Sequence, residues 1–256
     1  MNDHIMVAFK NDKSLSRQKI ISEDAFSVTN VFYDKTHIYT IVNFGNDDEF
    51  FCYIDALAEF IIDKYESKIL KRIIKVNNPE ISNMAVKEII ELKDDEGREE
   101  RKRIITDILK EYFSNHENGN VEGLVTFRLE EYKKSLLEIS EKLIDMYYLN
   151  KEYEDFIELL RYFISVQNTR AEMVYIVVND GEMYSVLDEE KHDITKEVLK
   201  ELVPKNEIKY VTYDDLLISM LISIAPKRII VNNKEKIKNI QLFETVEKVF
   251  EKVEYK

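Results

Sequence analysis

Cysteine is almost missing from this chain: Cys52 stands alone among 256 residues. No internal disulfide can close and no cysteine-based metal cluster can form. Glycine (5) and proline (3) are nearly as scarce, which excludes a long flexible linker and a glycine-rich phosphate loop of the usual kind. Tryptophan is absent. No apolar run approaches the roughly 20 residues needed to cross a bilayer; the longest stretches resemble LLISMLISIA, residues 216–225. The opening residues, MNDHIMVAFKNDKS, lack the basic-then-apolar plan of a signal peptide. These absences predict a soluble protein of a reducing, cytoplasmic compartment, with no membrane insertion.

Positive charge is the next deficit. Lys and Arg total 37 against 50 Asp and Glu, a formal net charge of −13. Nucleic-acid binders neutralise phosphates with a basic face, so that class is disfavoured. Anionic lipid surfaces are disfavoured for the same reason. The acidity itself favours solubility.

Hydrophobic residues make up 45% of the chain, ample for a core. Ile5–Phe9 reads as a short strand. Phe26–Tyr33 and His37–Phe44 are rich in β-branched and aromatic residues, and Asp34-Lys35-Thr36 separates them as a β-hairpin loop. Asp47 or Asp48 is expected to cap a long helix, in which Phe50, Ile54, Leu57, Ile61, Tyr65, Ile69 and Ile73 recur every three or four residues. Asn77-Asn78-Pro79 stops it. Ser82–Leu92 and Arg98–Phe113 predict two further helices.

Residues 115–120 (NHENGN) form the clearest break. Beyond them a helix is expected from Val121 to Leu149, with Val125, Leu129, Tyr132, Leu136, Ile139, Leu143 and Met146 as its seam. A turn at Asn150-Lys151 then folds it against a second amphipathic helix carrying Tyr153, Phe156, Ile157, Leu160, Phe163 and Ile164. Leu129, Leu136, Leu143, Leu160 and Phe163 are expected in the core. Met173–Val178 and Met183–Leu187 flank Asn179-Asp180-Gly181-Glu182 as another hairpin. Thr195 is expected to cap a helix reaching Val203, stopped by Pro204. Thr212 caps the next, with Val211 and Leu216 as its hydrophobic staple. Lys227–Val231 is a buried-type strand, Leu242–Phe250 a helix and Val253–Tyr255 an edge strand. The expected fold is α+β: an N-terminal β-hairpin plus helices (1–118), a central antiparallel helical hairpin (119–168) and a small C-terminal α/β region (169–256).

Few residues offer chemistry. His4, His37, His116 and His192 are scattered, and none has a second histidine at metal-ligand spacing. Asp188, Glu189, Glu190, His192 and Asp193 form the densest group of oxygen and imidazole ligands. Their spacing matches no calcium loop, and a solvated acidic turn ahead of a helix explains them. Asp214 and Asp215 likewise suit a first helical turn. No catalytic residues, metal site or cofactor are assigned. Arg128 with Tyr132, and Arg161 with Tyr162, are the sharpest ligand-binding candidates. In a helical hairpin two guanidinium groups near tyrosines form an anion site. The plain alternative is that each arginine pairs with a nearby glutamate, Glu130, Glu131, Glu154 or Glu158.

At these residues the chain resembles a known family. GLVTFRLEEY (123–132), EYEDFIELLRYFISVQ (152–167) and LLISMLISIAPKRIIV (216–231) are similar to the YtxC-like family, described as sporulation proteins of endospore-forming Firmicutes. The resemblance covers the second half of the chain. It implies a spore-forming host and no reaction, since it brings no catalytic residues to carry over. The expected function is therefore sporulation-associated and non-enzymatic, exerted through contacts with an unidentified protein partner, with a homo-oligomer open. A small-anion or nucleotide sensor is the alternative, and a metal-dependent hydrolase at the Asp188 turn the third.

Overall fold

A computed structural model describes residues 3–11, 28–181, 183–202 and 212–256. The chain divides into two compact units, Met1–Tyr148 and Leu149–Lys256. Each carries its own four-stranded sheet.

In the first unit, β1 (His4–Lys10), β2 (Val28–Tyr33), β3 (His37–Asn43) and β4 (Asn118–Asn120) are ordered β2-β3-β1-β4. The predicted hairpin forms, with Tyr33 opposite Ile38. Asp34 holds its loop: one carboxylate oxygen accepts the backbone N–H groups of Thr36 and His37, each at 2.6 Å. Those two bonds lower the Asp34 carboxyl to about 2. The polar break at 115–120 contains a strand, because Asn118–Asn120 pairs in parallel with Met6–Ala8. Gly119 is required there, since a Cβ at this position would lie 2.5 Å from Phe113 Cζ.

Helix α1 (Asp47–Asn77) is capped one residue earlier than expected, by Asn46, whose side chain accepts from Glu49 N at 2.9 Å. Asn46 has the extended backbone that a cap requires, whereas Asp47 and Asp48 already lie inside the first turn. The buried stripe of α1 runs through Phe50, Ile54, Leu57 and Ile61 as expected, then continues through Ile62, Glu66, Leu70 and Ile74. Tyr65, Ile69 and Ile73 are only half-buried. Helices α2 (Asn83–Glu91) and α3 (Arg98–Asn115) pack on α1.

Two corrections concern the central helices. The expected helix from Val121 is broken: α4 (Val121–Phe127) ends at Arg128, and α5 begins at Glu130. The break lies between two buried sets, Val121, Leu124 and Val125 before it and Leu129, Tyr132 and Leu136 after it. Their spacing fits one helix face, so the apolar pattern gives no sign of the break. The expected turn at Asn150-Lys151, and with it the antiparallel helical hairpin, is absent. Helix α5 runs from Glu130 to Val166 without interruption. Asn and Lys cost only tenths of a kcal/mol to about 0.7 kcal/mol within a helix, and neither removes a backbone donor as proline would. Polarity alone does not make a turn.

In the second unit, β5 (Met173–Val178), β6 (Tyr184–Leu187), β7 (Arg228–Asn232) and β8 (Val253–Tyr255) are ordered β6-β5-β7-β8. The β5–β6 pair is antiparallel; β5–β7 and β7–β8 are parallel. Helices α6 (Thr195–Leu202), α7 (Tyr213–Ile224) and α8 (Ile240–Val249) complete it. Thr195 is the first helical residue rather than a cap, and its hydroxyl accepts from Val186 N at 2.8 Å. Thr212 caps α7 as expected, through Asp215 N. Asn239 caps α8, which begins at Ile240, two residues ahead of the expected start. Phe26, Glu182, Val203, Pro204 and Val211, for which the sequence carries expectations, lie outside the described residues.

Candidate functional site

The four residues singled out as ligand contacts divide between the two units. Arg128 and Tyr132 belong to the first unit, Arg161 and Tyr162 to the second. The turn on which their convergence depended is absent. Neither arginine takes the glutamate partner considered for it. Arg128 lies over the Tyr112 ring, 5.8 Å from its centroid, and that ring stacks on His116. Arg161 Nε donates to the Lys248 carbonyl at 2.8 Å, in the last turn of α8, where a cation complements the helix dipole. Tyr162 is exposed.

Tyr132 is fully buried, and its hydroxyl donates to Glu66 Oε2 at 2.8 Å. Glu66 is 2% exposed and receives three further donors: Lys93 Nζ at 2.7 Å, Arg101 Nε at 3.0 Å and Arg101 Nη2 at 3.3 Å. Burial alone would raise the Glu66 carboxyl. Hydrogen bonds from Lys93, Tyr132 and Arg101 outweigh it and hold the group below the ordinary carboxylate value. Burial foremost, then the Glu66 charge, push the Tyr132 hydroxyl far above the usual tyrosine range, so it stays protonated. A ladder of ion pairs joins the same helices: Arg98 to Glu59 and Asp63, Lys102 to Asp55 and Glu59. This network consumes its own charges and holds α1, α3 and α5 together. Sequence reasoning missed it; the available signal is that Glu66 falls four residues after Ile62 and four before Leu70, on the row that the structure buries in place of Tyr65 and Ile69.

The acidic turn is also occupied by the backbone. Asp188 accepts from His192 N at 2.8 Å, and Glu189 accepts from Glu172 N and Met173 N at 2.9 and 3.2 Å, at the start of β5. Asp214 accepts from Tyr184 Oη and Asn239 Nδ2. Among the described residues, no group of three or more His, Cys, Asp or Glu side chains is placed to hold a metal ion.

What remains is a surface. In the second unit, α5 presents Tyr153, Ile157, Leu160 and Ile164 inward. The same helix leaves Leu149, Phe156, Leu159, Phe163 and Val166 exposed, from 43% at Phe163 to 66% at Leu149. Burial of Phe163 was expected; the structure places it on the solvent side, because Leu160 and Ile164 take the inward positions around it. The exposed residues are spaced seven, three, four and three apart, the spacing of a helix seam. Beside them lies a groove of about 860 Å3 whose walls include Leu149, Tyr153 and Phe156 of α5, Ile218 and Ile222 of α7, and Leu242 of α8.

The fold is thus α+β, two sheet-and-helix units with an apolar helix face on the second. The chain belongs to the YtxC-like family, whose sequence model matches residues 52–254. That match reaches back to α1, further than the second-half resemblance. Over 131 residues the chain is 32% identical to the protein of Bacillus subtilis (strain 168) described as uncharacterized protein YtxC. The aligned stretch is 51% of this chain and 46% of that protein, so the chain matches about half the length of this relative. No solved structure matches.

Proposed function

We propose that this chain is a non-enzymatic, cytoplasmic, sporulation-associated protein that acts by docking a protein partner on the exposed face of α5 in its second unit. The observation that carries the reading is the exposed seam of Leu149, Phe156, Leu159, Phe163 and Val166. Scattered exposed apolar residues need no explanation, but a contiguous row at seam spacing is what a partner helix covers. Kinship with a Bacillus subtilis protein supports the spore-forming setting.

The test is genetic and biochemical together. In an endospore-forming host, deletion should lower the yield of heat-resistant spores. The Phe156→Glu/Leu159→Glu variant should fold, since both residues already face water, and should fail to restore that yield. In-cell cross-linking from α5 should trap one partner with wild type and lose it with the variant. Full complementation by the variant would sink the docking reading.

A further inference from the structure

A different surface, in the first unit and independent of the α5 face just described, has the opposite character. A groove of about 620 Å3 runs between α1 on one side and α4 with the start of α5 on the other. Its apolar walls are Ile69, Ile73 and Val76 of α1, Val125 of α4 and Leu137 of α5. Ile69, Ile73 and Val76 stand four and three residues apart, a ridge against which another helix packs. Val76 is 70% exposed, so the groove is open to solvent along α1.

The rim is basic in a chain whose net charge is −13. Lys68 and Arg72, one helical turn apart, edge the α1 side, and Lys134 edges the α5 side. Lys133 is spoken for: its ammonium donates to Thr126 O and Glu130, and so cancels the single acidic residue of the rim. Arg72 and Lys134 close no ion pair among the described residues. Lys93, Arg98, Arg101 and Lys102 of the same unit are paired with carboxylates, whereas Arg72 and Lys134 leave their charges open on both sides of an apolar floor.

We infer that this groove is a docking site for an acidic amphipathic helix of a protein partner. Its apolar face would lie on Ile69, Ile73, Val76 and Leu137, and its carboxylates would meet Arg72, Lys134 and Lys68. Charge complementarity selects the sign of the partner. The open, two-walled shape selects a helix over a small molecule, because small-molecule sites enclose most of their ligand. From Lys68 to Asn77 the wall is about 14 Å long at 1.5 Å per residue, enough for two to three turns.

The test uses the full chain and a dye-labelled synthetic peptide with leucine at both seam positions of each heptad and glutamate beside them. The controls are the same peptide with lysine for glutamate, and anionic phosphatidylglycerol vesicles. Fluorescence anisotropy should show saturable binding of the glutamate peptide that weakens as salt rises. Binding should be about tenfold or more weaker to Arg72→Glu/Lys134→Glu, both of which are exposed residues. Val76→Ser/Leu137→Ser should weaken it at unchanged salt dependence. Should the charge-reversed protein lose its circular dichroism signature, Arg72→Gln/Lys134→Gln replaces it. The inference is overturned by no binding, by equal binding of the lysine peptide, by undiminished binding to the double variants, or by vesicles binding through these residues where the peptide does not.

Discussion

Removing the charge of Glu66 would leave Arg101, itself 4% exposed, without the carboxylate 3.0 Å from its Nε. A buried pair broken on one side loses far more than an exposed one, so Glu66→Ala should cost about 3–5 kcal/mol of unfolding free energy. Urea denaturation of the two proteins measures it directly. The pH dependence has a fixed sign. The Glu66 carboxyl is held below its ordinary value of 4.5 in the folded chain. Its contribution is therefore complete above that value and fades as pH falls through the lower, folded one. The wild-type advantage over Glu66→Ala should shrink on acidification below 4.5 and not on raising the pH from neutral; an advantage that grows in acid would contradict the network. At this scale the sequence was only half readable. The stripe expected from the sequence runs through Ile61, Tyr65 and Ile69 and passes Glu66 by, and the partners of Glu66 lie 27, 35 and 66 residues away, at Lys93, Arg101 and Tyr132. Nothing local predicts such pairings.

Helix α5 shows what periodicity reveals and where it stops. The i, i+3, i+4 pattern placed Leu136, Leu143 and Leu160 in buried rows, as it did Leu129 just ahead of the helix, whereas Met146 and Phe156 of the expected seams are exposed. It could not say which of two adjacent apolar rows in residues 149–166 faces inward. Leu160 and Phe163 lie three residues apart and both fit a helix face, yet only Leu160 is buried. The pair makes a paired test. Leu160→Ala should cost about 2–5 kcal/mol, as for a buried leucine, whereas Phe163→Ser should change stability by no more than about 0.5 kcal/mol. Equal losses in thermal or chemical denaturation would mean that both rows are covered. The break missed at Arg128 and the turn expected at Asn150 both show that residue polarity is a weak guide to where a helix ends. Where capping chemistry is explicit, as at Thr212, the sequence sufficed.

The buried clusters of the two units are separate sets. Leu136 belongs to one with Phe50, Leu57 and Phe113, and Leu217 to another with Val174, Ile229 and Phe243. Urea unfolding is expected in two steps, as in chains with more than one core. Leu136→Ala should move one step and Leu217→Ala the other, each by about 2–5 kcal/mol. A single transition shifted alike by both variants would contradict separate cores. The α+β class and the four strands of the second unit followed from β-branched and apolar runs bounded by turn residues, but their order in one sheet did not. The pairing of β4 with β1 did not, because three residues of Asn-Gly-Asn carry no strand signal and acquire their role only from the edge they meet.

The lone cysteine has a practical consequence. Cys52 is exposed on the first turns of α1, the helix that later forms a wall of the basic groove. Sixteen residues separate it from Lys68, an axial distance of about 24 Å at 1.5 Å per residue. A maleimide fluorophore can therefore be placed on the native chain at one known address, with no substitution to remove competing thiols. Energy transfer from that dye to a labelled peptide would report where on the first unit a helix settles, as well as that it binds.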